Sequence, residues 1–298
     1  MEIENLRGFV AVVEHGHLGM AATSLRIPQS TLTRRIQRLE AELDCQLLDR
    51  SARPIAPSAA GRIIAEHART VVGTADRATR QVRALLDGQG GTIRIGYVQS
   101  ATFGWVARLL AVARRRKVDV ELQAAPTIRQ LEALHDHRLD AGVVRPSSAT
   151  ANPVGLRSAV LSRDTLHAVV PRRHLAARSD AVEPSDLAGE HLVLYPEQEG
   201  PGLRSLLDGW LARERLSLAR WPVRIYDAWD ALSAAALAGA GAGIAILPGP
   251  LPPLPRTVTA VPLVAAPRLE LALMWRPVND SIIEPFATAL TSEVATGT

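Results

Sequence analysis

The sequence predicts an α/β protein of three parts: a small helical part, a long connecting helix, and a larger part of alternating strands and helices. Three patterns support this prediction. Apolar residues recur at helical spacing early in the chain, a heptad pattern follows, and a strand and helix alternation begins at residue 92. We therefore predict domains at 1–58, 59–88 and 92–298.

The composition permits sizeable packed cores, because 47% of the 298 residues are hydrophobic. The net charge of +4 favours an anionic partner only mildly.

Cys45 is the single cysteine, which excludes an intramolecular disulfide, and its position predicts a small buried residue. The uncharged run 231–247 is shorter than the ~20 apolar residues of a membrane span. We expect no membrane contact and, because no signal-peptide pattern opens the chain, a cytoplasmic protein.

The first 44 residues predict three helices joined by tight turns. Apolar residues at helical spacing fill 6–13, Gly16 interrupts them, and a short second helix spans 18–25. Pro28 fixes its own φ angle and cannot continue the second helix, so a turn precedes a third helix over 28–44. Two short helices joined by a tight turn form the helix-turn-helix arrangement.

The third helix has two chemically different faces. Its apolar stripe, which we expect to be buried, consists of Leu32, Ile36, Leu39 and Leu43. The opposite face carries hydrogen-bonding side chains, namely Ser30, Arg34, Gln37 and Arg38, with Thr31 and Thr33 at its edges. Such a face is either a solvated surface or a contact for phosphates and base edges. Arg35 lies nearer the stripe and suits a phosphate or a neighbouring carboxylate.

The N-terminal sequence resembles the DNA-binding domain of LysR-type transcriptional regulators. The resemblance covers some sixty residues at fixed spacings, which makes it specific. The matching positions are Leu6, Phe9, Val12, Glu14, Gly16, Ala21, Ala22, Leu25, Gln29, Leu32, Thr33, Ile36, Leu39, Glu40, Leu43, Leu47, Arg50, Arg53, Ala60 and Gly61. The chain departs from the family pattern at His17, Pro28, Asp44 and Leu48, and near Pro57.

The resemblance implies a winged helix-turn-helix that inserts its third helix into the major groove of double-stranded DNA. It places Arg53 in a wing near the minor groove. The helical wheel alone puts Arg34, Gln37 and Arg38 on the outward face. The predicted DNA-binding residues are Gln29, Ser30, Thr31, Thr33, Arg34, Gln37, Arg38 and Arg53.

The segment 59–88 predicts a helix with an apolar seam that needs a partner. The seam repeats every four and three residues in alternation and consists of Ile64, Ala68, Val71, Ala75, Ala78, Val82 and Leu85. It packs either against the chain's own next domain or against a second copy, and the family resemblance implies the second. A homodimer carries two recognition helices, so its operator should be approximately palindromic. The resemblance also favours a homotetramer and allows RNA polymerase as a partner. The glycines within 87–91 predict a joint.

The C-terminal part predicts α/β structure throughout. Strands are predicted at 92–98, 118–124, 140–144, 166–170, 191–195, 223–227, 243–247 and 269–275. Helices are predicted at 104–116, 127–137, 201–214, 228–239 and 281–291. The initial βαβαβ order implies a parallel sheet.

The order of these elements resembles the effector-binding domain of the same regulators, which is similar in fold to periplasmic binding proteins. The resemblance implies two α/β subdomains joined by two crossings, which we place near 160 and 266. Subdomain I then comprises 92–160 and 267–298, and subdomain II comprises 161–266.

Ligands of open α/β sheets bind beyond the carboxyl ends of strands, where helix N-termini point. The residues predicted there are Gln99, Ser100, Thr102, Thr127, Arg145, Pro201, Gly202, Asp227 and Trp229. Arg145 and the helix termini together suit a small carboxylate, so we predict a small anionic effector. Two alternatives stay open, since Arg145 would also suit an acidic neighbour and Asp227 would also suit a helix N-cap.

The motifs of enzymes, cofactor sites and metal sites are not found in the sequence. The glycine-rich run at 238–243 follows a helix and precedes a strand, the reverse of a dinucleotide-binding loop. Lys117 lacks the glycines of a phosphate-binding loop, and His135 and His137 are expected at a solvated helix end. We predict no catalytic residue, cofactor or metal, and a DNA-binding regulator modulated by a small molecule. The alternative is a small-molecule-binding or enzymatic α/β protein whose N-terminal helices serve only in oligomerisation.

Overall fold

The computed structural model describes residues 1–86, 92–147, 150–151, 153–196, 201–220 and 224–295. The predicted joint at 87–91 and residue 223 of a predicted strand lie outside the described residues. The chain separates into two compact units, which divide between residues 91 and 92, although the short segment His135–Arg138 groups with the first unit. No helix among the described residues is long and apolar enough to cross a bilayer.

The N-terminal unit contains the three predicted helices, a two-stranded wing and the long helix. The helices are α1 (Ile3–His15), α2 (Leu18–Ser24), α3 (Gln29–Glu42) and α4 (Ala59–Leu86). The wing strands β1 (Leu48–Asp49) and β2 (Ala56–Pro57) pair antiparallel. Gly16 ends α1 with a left-handed φ of 66°, and a Cβ there would lie 2.6 Å from the Cβ of Pro54. The chain therefore needs glycine where the first helix meets the wing.

The predicted apolar stripe of α3 is confirmed as the face that enters the core. Leu32, Ile36 and Leu39 have no exposed surface, and they pack in the cluster that contains Leu6 and Phe9 of α1. Two further residues that the sequence predicts to be buried, Leu43 and Cys45, are only half-buried at the edge of this cluster. Cys45 is therefore less buried than predicted.

The long helix α4 buries one side against α1 and leaves part of the predicted seam in solvent. Ala65, Ala68 and Val72 belong to the N-terminal core cluster. Along the seam itself, Val71 and Val82 are 47% and 58% exposed in the single chain. An apolar row of this kind is available for contact with a further surface.

The C-terminal unit contains two five-stranded sheets. The first sheet has the order β4-β3-β5-β12-β6, and its strands are β3 (Thr92–Tyr97), β4 (Asp119–Ala124), β5 (Ala141–Val144), β6 (Arg157–Asp164) and β12 (Leu269–Trp275). The second sheet has the order β11-β7-β10-β8-β9, and its strands are β7 (Leu166–Pro171), β8 (Leu192–Leu194), β9 (Ile225–Asp227), β10 (Ile244–Pro248) and β11 (Val258–Pro262).

Six helices cover these sheets among the described residues. They are α5 (Trp105–Arg115), α6 (Thr127–His135), α7 (Pro184–Leu187), α8 (Pro201–Leu211), α9 (Ala231–Gly239) and α10 (Asp280–Ala295). Each sheet has its own apolar clusters, for example Ile95, Leu109 and Phe286 for the first sheet and Leu192, Leu207 and Trp210 for the second.

Two features of the sheets differ from the prediction. The three strands of the initial βαβαβ segment, β3, β4 and β5, pair in parallel as predicted. Both sheets are nevertheless mixed, because β12 runs antiparallel to β5 and β6, and β10 runs antiparallel to β7. Strands β6 and β11 were not predicted. Both lie at sheet edges, where one side of a strand has no neighbour and the sequence needs less continuous apolar character. Because β6 continues in the first sheet to Asp164, the chain crosses between sheets at Thr165, later than the predicted 160.

Candidate nucleic-acid interface and ligand pocket

The outward face of α3 exposes most of the side chains that the sequence analysis singled out. Thr33 differs, because it is half-buried and its hydroxyl donates a hydrogen bond of 3.0 Å to the carbonyl oxygen of Gln29. The exposed members of the predicted set are Gln29, Ser30, Thr31, Arg34, Gln37, Arg38 and, in the wing, Arg53.

The three arginines of α3 have different surroundings. The Nη1 atom of Arg35 lies 3.0 Å from the Oε2 atom of Glu4 in α1, so Arg35 binds the neighbouring carboxylate that was one of its two expected partners. Within the described residues, Arg34 and Arg38 form no ion pair or hydrogen bond. Their guanidinium donors therefore face solvent and are available to an anion.

The wing is joined to α3 through Glu40, which the sequence analysis noted only as a match to the family pattern. One carboxylate oxygen of Glu40 accepts a hydrogen bond of 3.0 Å from the backbone N–H of Leu47, and the other lies 3.0 Å from Nη2 of Arg50. Arg53 itself is exposed, and its Nη1 donates to the carbonyl oxygens of Arg50 and Ala52 at 2.7 and 3.0 Å.

An ion pair also ties α1 to the long helix. Arg7 of α1 makes a bidentate contact with the carboxylate of Asp76 of α4, with distances of 2.9 Å from Nη1 to Oδ2 and 2.6 Å from Nη2 to Oδ1. The hydrogen bond to Asp76 raises the pKa of the Arg7 guanidinium. Because α1 also packs against α3, this contact links the direction of α4 to that of the exposed helix face.

A cavity of about 190 Å³ lies at the carboxyl ends of strands from both sheets. Six of the predicted ligand-binding residues line it, namely Gln99, Ser100, Thr127, Arg145, Gly202 and Trp229. Thr102 and Asp227 are exposed and do not line its wall. Pro201 begins α8, but its side chain lies outside the described part of the chain. Gly202 permits a close approach, because a Cβ there would lie 3.1 Å from the carbonyl oxygen of Pro146.

Tyr195 is a wall residue that the sequence analysis missed. It follows β8 directly, so its position at the carboxyl end of a predicted strand could have identified it. Burial raises the pKa of the Tyr195 phenol to about 12, against a smaller opposing effect of Arg145. The phenol is therefore neutral at physiological pH and can donate a hydrogen bond. The other unpredicted wall residues are mostly apolar, namely Val98, Ala124, Ala125, Pro126, Leu203, Pro248 and Leu269.

Arg145 is buried and its donors are largely occupied within the chain. Its Nη2 lies 2.7 Å from Oδ2 of Asp164 and 3.2 Å from the carbonyl oxygen of Gly249. Its Nε donates to Oγ of Ser100 at 2.8 Å, and its Nη1 donates to the carbonyl oxygen of Leu269 at 3.3 Å. Burial lowers the pKa of the Arg145 guanidinium, and the Asp164 carboxylate opposes that effect. Arg145 thus holds the acidic neighbour that was considered as its alternative role.

The helix cap predicted for Asp227 belongs instead to Asp230. The Asp230 carboxylate accepts hydrogen bonds of 2.7 Å from the backbone N–H and the hydroxyl of Ser233, and the first of these lowers its pKa most. Asp227 lies 3.2 Å from Nη2 of Arg204. The cap interpretation of Asp227 is therefore wrong, because the helix begins three residues later.

The pocket suits a small, mainly apolar molecule with one or two hydrogen-bond acceptors. Its polar groups are few: the Tyr195 phenol, the Gln99 amide and the Ser100 hydroxyl, which keeps its own hydrogen while accepting from Arg145. Trp229 is 69% exposed at the wall and offers an aromatic surface. Within the described residues, no group of three or more His, Cys, Asp or Glu side chains could hold a metal ion.

Comparison with known proteins identifies relatives of both units. A family model described as a bacterial regulatory helix-turn-helix protein, lysR family, matches residues 3–62, and one described as a LysR substrate binding domain matches residues 86–294. The chain is 34% identical over 251 residues to the uncharacterized HTH-type transcriptional regulator YnfL of Escherichia coli strain K12, covering 83% of this chain and 82% of that protein.

Two further relatives have names that describe a regulator or a DNA complex. The chain is 32% identical over 251 residues to the HTH-type transcriptional regulator BenM of Acinetobacter baylyi, covering 83% of this chain and 80% of that protein. Among solved structures, full-length CbnR complexed with its target DNA superimposes with a TM-score of 0.71 and 25% identity, covering 98% of this chain and 99% of that chain.

Proposed function

The chain belongs to the family of LysR-type transcriptional regulators, and from that premise we propose which of its surfaces read DNA and bind the effector. It is a DNA-binding transcriptional regulator with an effector-binding domain. The DNA-binding domain is proposed at 1–58, the linker helix at 59–88 and the effector-binding domain at 92–298. Subdomain I and subdomain II are proposed to meet at the crossings at Thr165 and between Pro262 and Leu269.

The proposed DNA-reading surface is the outward face of α3 together with the wing. One observation carries this assignment: Arg34 and Arg38 are exposed and unpaired within the described residues, whereas Arg35 of the same helix pairs with Glu4. A helix with free guanidinium, amide and hydroxyl groups can contact guanine edges and phosphates in a major groove. The proposed contacts are Gln29, Ser30, Thr31, Thr33, Arg34, Gln37, Arg38 and Arg53.

A mobility-shift titration with the chain's own promoter region, repeated over several salt concentrations, tests this surface. Arg34→Ala should cost ~1–3 kcal/mol of specific binding if the side chain contacts a base with both donors. If Arg38 binds a phosphate, Arg38→Ala should reduce the slope of log affinity against log salt by about one. Arg35→Ala is the matched control on the same helix and should have the smallest effect, because Glu4 holds that side chain.

The rival function would give a different pattern in the same titration. If the N-terminal helices served only in oligomerisation, none of the three substitutions would change the affinity for promoter DNA. Unchanged affinity of Arg34→Ala at fixed salt would refute its assignment as a base contact.

We place the effector in the 190 Å³ cavity and propose a small carboxylate with an apolar body. The largely apolar wall supports the apolar body, and the neutral Tyr195 phenol, Gln99 and Ser100 supply hydrogen-bond donors for the carboxylate oxygens. Arg145 would act here by orienting the Ser100 hydroxyl. It would not make a bidentate contact with the effector, because its guanidinium already donates four hydrogen bonds within the chain. We assign no direct contact to Thr102 or Asp227.

A thermal-shift screen of small carboxylates on the full chain tests the pocket, because a ligand that binds the folded state raises the melting temperature. For a carboxylate that does so, Ser100→Ala should weaken binding roughly fivefold to tenfold through loss of one hydrogen bond. Thr102→Ala is the matched control in the same turn and should leave binding unchanged. Equal loss in both variants, or a screen in which only neutral compounds bind, would contradict the proposal.

The remaining assignments follow from the regulator family. We propose a homodimer through α4, which brings two α3 helices to an approximately palindromic operator, and a homotetramer built from two such dimers. Since the relatives are named as transcriptional regulators, we propose that the chain catalyses no reaction. Because the family model that matches residues 3–62 describes bacterial regulatory proteins, we propose that the protein acts in the cytoplasm, where RNA polymerase is also available as a partner.

A further inference from the structure

A second cavity, of about 540 Å³, lies where the chain crosses between the two sheets of the C-terminal unit. It shares no wall residue with the proposed effector pocket. Its wall combines the start of α5, the end of β6, the start of β7 and the residues just before β12, so an occupant would contact elements of both sheets.

Three arginines from three separate elements line this cavity. They are Arg108 of α5, Arg163 of β6 and Arg268, and all three are exposed. Their contacts within the described residues leave most of their N–H donors unused. Arg108 lies 5.2 Å above the ring of Trp105, Nη1 of Arg268 reaches the carbonyl oxygen of Arg163 at 3.5 Å, and Nη2 of Arg163 lies 3.5 Å from Glu270.

The local charge is positive even after the neighbouring carboxylates are considered. Asp164 also lines the cavity, but its Oδ2 atom is paired with Arg145 at 2.7 Å and its charge is balanced there. Three guanidinium groups against the one carboxylate of Glu270 leave a formal excess of two positive charges. Burial lowers the pKa of His167, which keeps this wall residue neutral at physiological pH.

Two polar atoms of the same wall lack a hydrogen-bond partner among the described residues. Ser162 Oγ and His167 Nδ1 are buried and have no such partner there, which is unfavourable for a polar atom. The N-terminus of α5 adds backbone N–H groups at Trp105, because its N-cap residue is Gly104, which has no side chain to cap them. An occupant with several acceptor oxygens would therefore find positive charge and backbone donors in one place.

We propose that this cavity is a second ligand site that binds a small organic or inorganic dianion, a phosphate or a dicarboxylate. The excess of two positive charges sets the charge of the ligand, and Trp105 and Pro250 provide an apolar surface for a short carbon chain. Guanidinium groups bind phosphate and carboxylate oxygens in the same way, so the two ligand types share the chemistry of the site.

Calorimetric titration of the full chain with inorganic phosphate and with succinate, at constant ionic strength, tests the proposal. We expect one site per chain, with Arg108→Gln and Arg268→Gln each weakening the binding about tenfold or more through loss of a charge-assisted hydrogen bond. Arg268→Lys should recover part of the affinity because it restores the charge. Binding of either dianion at one site per chain supports the proposal, and the ratio of the two affinities shows whether the site prefers phosphate or a dicarboxylate.

Three control variants separate this site from the other surfaces. Arg129→Gln removes an arginine whose side chain is 70% exposed on α6 and should leave the affinity unchanged. Ser100→Ala should also leave it unchanged, which separates failure here from failure of the effector assignment. Arg34→Gln removes a charge from the proposed DNA surface, and loss of dianion binding in this variant would move the site to α3 and overturn the proposal.

A crystal soaked with tungstate locates the dianion directly by its anomalous scattering. The expected peak lies within hydrogen-bonding distance of at least two of Arg108, Arg163 and Arg268. The absence of a peak there, together with a titration in which neither phosphate nor succinate binds, would refute the second site.

Discussion

Arg34, Arg35 and Arg38 lie on the same helix, yet each guanidinium has a different relation to the fold. Arg35 pairs with Glu4 at 3.0 Å and so helps to hold α3 against α1. Arg34 and Arg38 are exposed without a partner among the described residues. A difference of one position along the chain rotates a helical side chain by about 100°, which is enough to separate a structural arginine from one that is available to DNA.

Arg145 shows the opposite case, a side chain at a ligand pocket whose donors are used by the protein. Arg145→Ala should destabilise the C-terminal unit by about 3–5 kcal/mol, because Asp164 would stay buried without a counter-charge. Urea denaturation followed by the fluorescence of the unit's tryptophans measures this loss. Arg129→Ala is the exposed control and should change stability by no more than about 0.5 kcal/mol.

The double variant Arg145→Met with Asp164→Leu separates loss of the arginine from exposure of its partner. Replacing both members of a buried ion pair by apolar residues is often nearly neutral, so the double variant should be more stable than Arg145→Ala alone. If Arg145→Ala unfolds at the same urea concentration as the native chain, the Arg145 side chain does not stabilise the segments that cross between the two sheets. That result would favour a direct contact of Arg145 with the effector.

At the scale of the element, α3 is a helix with one face for the core and one for a partner. Leu32, Ile36 and Leu39 are fully buried, while Arg34 and Arg38 lie on the exposed face. Substitutions on the two faces should therefore affect two different measurable quantities, the free energy of unfolding and the affinity for DNA.

Ile36→Val and Arg38→Ala form a matched pair that tests this separation. Ile36→Val should lower the free energy of unfolding of the N-terminal unit by about 0.5–1.5 kcal/mol, because one buried methylene is removed, and should leave operator affinity nearly unchanged. Arg38→Ala should do the reverse. Thermal unfolding by circular dichroism and a mobility shift on the same samples provide the two readouts, and a substitution that lowers both equally would contradict the two-face description.

At the scale of the whole molecule, the exposed apolar residues along the seam of α4 are the feature that favours contact with a second chain. Ala68 is buried against α1, but Val71 and Val82 of the same seam are largely exposed in the single chain. The Arg7 and Asp76 pair fixes α1 to α4 next to this row. A dimer through α4 would therefore set the relative placement of the two α3 helices.

Val71→Glu combined with Val82→Glu should disrupt that dimer, because two carboxylates on each chain would enter an apolar interface. Sedimentation velocity should show a smaller species, and affinity for the full operator should fall roughly a hundredfold or more, since the second half-site no longer binds within the same complex. Thr70→Glu places the same charge on an exposed position of α4 away from the seam and should leave the dimer intact. An unchanged sedimentation coefficient of the double variant would rule out α4 as the dimer contact.

The sequence by itself determined the features that repeat at short range. The stripe of α3, the outward placement of Arg34 and Arg38, and eight of the ten strands described in the two five-stranded sheets follow from helical and strand periodicity, which requires only residues a few positions apart. The fixed spacings of the first sixty residues also identified the family, because they depend on contacts within one small domain.

Only the tertiary structure decided which distant groups meet. The partners of Arg145 are 19, 45, 104 and 124 residues away along the chain, so no local pattern could distinguish a ligand contact from an internal ion pair. The edge strands β6 and β11, the mixed direction of the sheets and the place of Tyr195 in the pocket wall depend likewise on pairing between remote segments. Periodicity predicts the face of a helix or strand on which a side chain lies, whereas the packing of the elements determines which residue that side chain contacts.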